Sequence, residues 1–367
     1  MSGRSASPVS LPDPAQGRLR RRGLLLLTAG FAMLAGLYGG LARLGLPLPA
    51  NDGVAALHGS IMINGVFGAL IGLERAVALG WRWPYLGPIA SAGGTALLLG
   101  GAAAPVGGAL YLLAAVVLLA ASLRIASMQR ELFTAVLAAG SACWVVGTGL
   151  WCLGYEVPDL VGWWLGFLVL TIASERLELS RLLRPPSTAR VTFLAAVVLI
   201  ALGAALGIFT RSGAMVFGLG LLATVAWLCR YDIAMRTIRG RGQTRFFAAA
   251  MLTGYGWLGG AGLLLLAGAD PAVRYDAVLH AVLIGFVVSM VFGHALIILP
   301  AVTGIVLRYH PSLYLPLGML QLSVLMRILG GLTDLELMRR VSGPVTAAAI
   351  LLFALTLIWL RGRGRAT

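Results

Sequence analysis

The sequence predicts an all-α, polytopic membrane protein of about twelve transmembrane helices. Three observations predict it. Hydrophobic residues make up 59% of the 367-residue chain and charged residues 11%, with a mean hydropathy of +0.92, whereas a soluble domain carries roughly 25% charged residues. Apolar stretches close to the ~20 residues needed to cross a bilayer follow one another with only short polar connectors. All 28 basic residues are arginine, and with the N-terminus placed in the cytoplasm 22 of them fall on the cytoplasmic side. The outer loops instead hold Asp52, Glu156, Asp159, Asp270, Asp276, Asp334 and Glu336. Such an asymmetry sets membrane orientation. The net charge of +15 therefore reads as topology and lipid-headgroup contact, not as a nucleic-acid surface. The expected location is the bacterial inner membrane, multi-pass, with both termini cytoplasmic and the lipid bilayer as the principal partner.

The elements follow in order. Residues 1–17, rich in Ser and Pro, read as a disordered tail. Arg20, Arg21 and Arg22 before GLLLLTAG resemble a secretory leader, but the apolar run continues through FAMLAGLYGGLARLGL. That is too long for a leader core, so it is the first span. The others are placed at about 54–73, 85–103, 107–127, 132–153, 159–175, 191–209, 213–229, 246–268, 276–299, 313–332 and 343–360. The transmembrane domain thus covers 18–361 and leaves a short basic cytoplasmic tail at 362–367. Connectors such as GWRWP, LLRPPSTAR and RTIRGRGQTR carry Pro, Gly or charge, and Trp81, Trp83, Trp163 and Trp164 fall near span ends, where amphipathic rings gather.

A weak repeat runs through the second, sixth and tenth spans. In each, a glycine precedes a polar residue by nine positions: Gly65 and Glu74, Gly166 and Glu175, Gly285 and His294. The implied unit is four helices, repeated three times.

Four histidines occur, and two of them fall inside spans at the same expected depth. His58 lies in LHGSIMINGVFG and His280 in LHAVLIGFVVSM, each ~6–9 Å below the outer surface at 1.5 Å per residue. Imidazoles at matched depth on two helices suit a haem iron or another metal; hydrogen bonding within a tight helix packing at Gly68-xxx-Gly72 is the structural alternative. Gly59, Gly65, Gly68, Gly72 and Gly285 remove bulk nearby, as a macrocycle would need. Met62 follows His58 by four residues and so shares its face; copper is the alternative metal such a pair could hold, and packing in an apolar helix is the structural reading. The three cysteines, Cys143, Cys152 and Cys229, show no CxxC or CxxCH spacing, against covalent haem attachment or a zinc site.

The segment HGSIMINGVFGALIG resembles the second helix of haem–copper oxidase subunit I, and LHAVLIGFVVSM is similar to that family's tenth helix. The resemblance implies that His58 and His280 are the axial ligands of one low-spin b-type haem. The sixth and seventh spans hold no histidine, so the copper triad of that family has no counterpart and its oxygen chemistry is not implied. Within this broad group the chain looks more like the NnrS-type membrane proteins, which implies a role in electron transfer or nitric-oxide metabolism and a membrane or periplasmic redox partner. That family's His-rich second-span motif is present only in part.

Glu74, Glu175 and His294 form a candidate inner proton or metal site, with Arg75 and Arg176 beside them; pairing at the span ends is the structural reading. His294 is ~21 Å along the helix from His280, too far to share a metal with it. Arg327 is a further candidate for a haem propionate or an acid, and His310, in RYHPS, reads as an exposed loop residue. A secondary transporter of a small solute, without haem, is the rival reading, because glycine-rich helices with buried Glu and Arg are also found there.

Overall fold

In a bilayer each backbone N–H and C=O must find its partner within the protein, which leaves the helix as the one local solution for an unclosed chain. The computed structural model describes residues 14–49, 52–268 and 271–363, and among them no strand occurs. Besides helices of three or four residues, twelve helical segments follow in order among the described residues. They are α1 (Pro14–Arg43), α2 (Asp52–Ser60, continuing through Ile61–Phe67 to Gly68–Leu79), α3 (Leu86–Leu99), α4 (Ala104–Met128), α5 (Leu132–Cys152) and α6 (Val157–Ser180). Then come α7 (Ser187–Leu206), α8 (Arg211–Tyr231), α9 (Gly242–Leu266), α10 (Pro271–His280, continuing through Ala281–Val288 to Ser289–Thr303), α11 (Tyr314–Leu332) and α12 (Glu336–Arg363).

Among the described residues, eleven of these are long and apolar enough to span, and the chain is an integral membrane protein. The exception is α3. Its 14 residues rise about 21 Å against a ~30 Å core. The expected span 85–103 is shorter because Gly101 adopts φ +86° and Ala103 is extended ahead of Pro105. Two other boundaries differ. Helix α1 begins at Pro14, so 14–17 are helical rather than part of a tail, while residues 1–13 and 364–367 lie outside the described residues. Helix α12 begins at Glu336, whose carboxylate accepts from Arg339 Nε at 2.7 Å and Arg340 Nε at 2.8 Å, pairs at i+3 and i+4 that support a first turn.

Burial separates the centre from the rim. The most apolar stretch of α6 is 72% buried and that of α10 67%, against 22% for α1 and 17% for α12. Helices α6 and α10 are therefore central, and α1 and α12 face lipid.

Both α2 and α10 contain a π-helical stretch, Ile61–Phe67 and Ala281–Val288. Each begins just after a histidine of the sequence pair. A π turn widens the helix and displaces the usual i→i−4 bonding; at the end of the first stretch Gly68 N–H donates to Ile63 O, five residues back. Side chains complete the polar accounting. Asn64 Nδ2 donates to Ser60 O at 3.0 Å, and its Oδ1 accepts from Trp144 Nε1 at 2.6 Å and Thr148 Oγ1 at 3.0 Å. In α10, Ser289 follows the stretch; Gln321 Nε2 lies 2.9 Å from Ser289 Oγ, and Trp257 Nε1 donates to Gln321 Oε1 at 2.6 Å.

Four of the five glycines, Gly65, Gly68, Gly72 and Gly285, serve packing and do not open the histidine cavity, which corrects the sequence reading for them. A Cβ on Gly68 would stand 2.4 Å from Trp144 Cζ2, one on Gly285 2.5 Å from Trp257 Cγ, one on Gly65 2.5 Å from Thr95 Oγ1, and one on Gly72 3.2 Å from Pro88 Cδ. Only Gly59 of the five lines the histidine cavity.

Candidate functional site

His58 on α2 and His280 on α10 line one cavity of about 140 Å³. Each ring is tied at Nδ1. His58 Nδ1 lies 2.6 Å from Gly36 O on α1, and His280 Nδ1 lies 2.8 Å from Asp276 O one turn earlier. A carbonyl can only accept, so Nδ1 carries the hydrogen in both rings, and Nε2 of the neutral imidazole is left as the lone-pair nitrogen. Among the described residues no hydrogen bond engages Nε2 of either ring.

The surroundings fix these rings closely. The His58 imidazole lies against Gly40 of α1, where a Cβ would come within 2.7 Å of Cε1. Met62 lines the same cavity, with its sulfur packed on Gly36. Arg327 of α11 also lines it and donates from Nε and Nη2 to the two oxygens of Asp276, both at 2.7 Å. Asp276 Oδ1 is in turn 3.3 Å from His280 Nδ1. The carboxylate thus sits between a fixed cation and a ligand-type ring, as carboxylates behind metal-bound histidines do. Arg43 is a second guanidinium on the cavity wall.

A second cavity of about 330 Å³ lies beyond Phe67, whose side chain lines both. It is walled by α1, α2, α6, α10 and α12, and Glu74, Glu175 and His294 all line it, as the nine-residue offset predicts. Arg75 joins α2 to α6 by pairing with Glu175, and its Nη2 is 3.5 Å from Glu74 Oε1. Arg176 joins α6 to α10: its Nη2 lies 3.0 Å from His294 Nε2. This contact corrects one expectation. His294 Nδ1 is 2.7 Å from Met290 O, so both ring nitrogens are engaged, and a guanidinium cannot accept. The ring is therefore neutral and has no lone pair left for a metal. Among the described residues no group of three His, Cys, Asp or Glu side chains is arranged to hold a metal ion.

A family model described as a domain of unknown function, DUF8744, matches residues 22–361. The chain belongs to the DUF8744 family. No curated protein and no solved structure matches it.

In this DUF8744 chain the remaining candidates have structural roles. His310 is half-buried, not an exposed loop residue: its Nδ1 accepts from Ser312 N–H at 3.2 Å, and its ring meets Trp359 edge-on. Beyond the spans, Asp232 is buried, caps the one-turn helix Ala234–Thr237 by accepting from Ala234 N–H at 2.6 Å, and lies 4.0 Å from Arg176 Nε. Burial holds its carboxyl above the usual range, against the pull of Arg176. Sequence reasoning missed Arg43, Gly40 and the bridging role of Asp276. A signal for Arg43 existed, since it is one of six arginines off the predicted cytoplasmic side: Arg43, Arg211, Arg274, Arg327, Arg339 and Arg340. Two of these, Arg43 and Arg327, line the histidine cavity.

Proposed function

We propose that this protein is an integral-membrane haem protein, with His58 and His280 as axial ligands of one b-type haem and a role in electron transfer or the handling of a gas such as nitric oxide. The observation that carries the reading is the matched pair of rings. Two helices each present to one cavity a histidine whose Nδ1–H is held by a carbonyl and whose Nε2 is unengaged. Anchoring Nδ1 in this way orients a ring and raises the basicity of its ligating nitrogen.

The chemistry of the other residues suits the same group, for which the cavity of about 140 Å³ must widen. Leu37, Leu41, Leu283 and Ile284 give the cavity apolar walls, and Arg43 supplies a cation for a propionate, while Arg327 is already paired with Asp276. Bound haem would supply one-electron chemistry. With His58 and His280 both holding it, the group would serve electron transfer. Met62 on the same wall keeps copper as the alternative metal. With the short α3 counted as a twelfth crossing, the arginine asymmetry orients the histidine cavity toward the periplasm of a bacterial inner membrane, within reach of a membrane or periplasmic redox partner, and leaves both termini cytoplasmic.

A second reading, a secondary transporter of a small solute, draws on one observation: two cavities meet at Phe67 between the same helices. Purification from haem-sufficient cells separates the two. The haem reading expects an absorption spectrum of protein-bound haem that His58→Ala and His280→Ala abolish and His310→Ala keeps. A colourless, well-folded protein that accumulates solute in liposomes would replace it.

A further inference from the structure

Buried polar side-chain atoms in a folded protein are for the most part hydrogen-bonded. Among the described residues eight such N or O atoms have no partner, and four of the eight belong to three neighbouring residues: Arg176 Nε and Nη1, Asp232 Oδ2 and Tyr255 OH. Arg176 lies on α6, Asp232 directly after α8 and Tyr255 on α9. Arg176 and Asp232 are 2% exposed and Tyr255 1%. Arg176 Nε stands 4.0 Å from Asp232 Oδ2, too far for a hydrogen bond. The Tyr255 hydroxyl faces the same carboxylate. The rest of each group is already engaged. Asp232 Oδ1 accepts from Ala234 N–H, and Arg176 Nη2 lies against His294 Nε2. The Phe247 ring, 5.1 Å from Arg176 Cζ, covers the guanidinium face with apolar surface.

These atoms define a guest. A guanidinium only donates, a carboxylate only accepts and a phenol does either, so the guest must both accept and donate. The charges of Arg176 and Asp232 cancel. A cation would meet the guanidinium and an anion the carboxylate, and either would add an unmatched charge to a buried site. The guest is therefore neutral. Two hydrogen bonds of about 2.8 Å that meet at one oxygen at about 90° bridge the 4.0 Å gap between Nε and Oδ2. We infer that Arg176, Asp232 and Tyr255 hold one buried water molecule, which accepts from Arg176 Nε and donates to Asp232 Oδ2 and Tyr255 OH. Three polar partners are the usual number for such a water. It closes a polar line from the loop after α8, through Arg176, to His294 on the wall of the inner cavity. The water thereby fixes the guanidinium whose donation keeps the His294 ring neutral. The site is separate from the histidine cavity and needs no haem.

Hydroxyl-radical footprinting tests this directly. An X-ray pulse on the purified full-length protein forms radicals from bulk and bound water alike, and mass spectrometry locates the side chains they modify. Tyr255 should be modified despite its burial. Tyr111 is the control: it is also buried, but its hydroxyl lies 2.8 Å from Thr95 Oγ1, and it should stay unmodified. Asp232→Glu extends the carboxylate by one methylene, brings it directly to Arg176 and should abolish the modification of Tyr255. Tyr255→Phe takes one partner from the water and should lower the melting temperature by about 1–2 °C. A hydroxyl buried without any partner is costly to keep, so in a dry site the same change would raise it. Tyr255 as unreactive as Tyr111, modification persisting in folded Asp232→Glu protein, or a raised melting temperature in Tyr255→Phe overturns the proposal. Where Asp232→Glu does not fold, the wild-type footprint and the Tyr255→Phe melting temperature decide it.

Discussion

Replacing Gly40 by alanine places one methyl group where the His58 ring now lies. The added Cβ would be 2.7 Å from Cε1, 2.9 Å from Nδ1 and 3.4 Å from Nε2 of that ring. Carbon atoms pack comfortably at about 3.5 Å, so the ring must retreat by about 0.8 Å or α1 must part from α2. Retreat lengthens the 2.6 Å contact from Nδ1 to Gly36 O beyond about 3.2 Å, the edge of a good hydrogen bond. An unpaired buried group costs about 1–3 kcal/mol, and overpacking costs a similar amount. If about 2 kcal/mol of this appears at the ligand, haem affinity falls about thirtyfold. Haemin titration of the purified protein measures it. Gly256→Ala is the control, because a Cβ there meets nothing within 4 Å, and helix propensity makes that change neutral or slightly stabilising. Gly40→Ala protein with wild-type affinity and spectrum would refute the claim that α1 sets the position of the ligand.

Three further outcomes are expected. Asn64→Leu strands Trp144 Nε1, while Thr148 Oγ1 keeps the bond it accepts from Trp164 Nε1; it should cost about 1–3 kcal/mol from one unsatisfied group, read as a lowered melting temperature in detergent. Glu175→Gln removes the main partner of Arg75; breaking a buried pair costs about 3–5 kcal/mol, but Glu74 is near and both partners are partly exposed, so about 2 kcal/mol is expected by the same measurement. Asp232 carries a raised pKa in the folded state, so the native protein holds this proton more tightly than the unfolded chain does. Its contribution is most favourable at acid pH and declines as pH rises from about 4 through the raised value. Asp232→Asn should flatten that part of the melting-temperature profile while keeping the cap to Ala234, and an unchanged profile would contradict the assignment.

Eleven of the twelve expected spans were legible because the bilayer imposes a length and a polarity on each crossing, and both can be counted in the chain. The short α3 was not, since no charge closes the apolar run after Leu99 and the chain turns at Gly100 and Gly101, the latter with a positive φ. His58 and His280 stood out because polar rings are rare inside apolar runs. What holds them did not: Gly36 contributes a carbonyl and Gly40 an absence of side chain, and neither has a signature in one sequence. The π stretches were equally hidden, because Ile61–Phe67 apart from Asn64, and all of Ala281–Val288, are apolar and carry no period to betray a widened turn. The grouping of Glu74, Glu175 and His294 followed from the nine-residue offset, yet the neutral state of His294 depended on Arg176, 118 positions away.

The central claim is that one iron is held by two imidazoles from α2 and α10. Haemin titration of haem-free protein, followed by the spin state of the ferric complex, tests it most directly. The account predicts one equivalent bound in a low-spin, six-coordinate state in the wild type, and high-spin or absent haem in both His58→Ala and His280→Ala. Low-spin haem persisting in either variant, or no haem binding by well-folded wild-type protein, would contradict it.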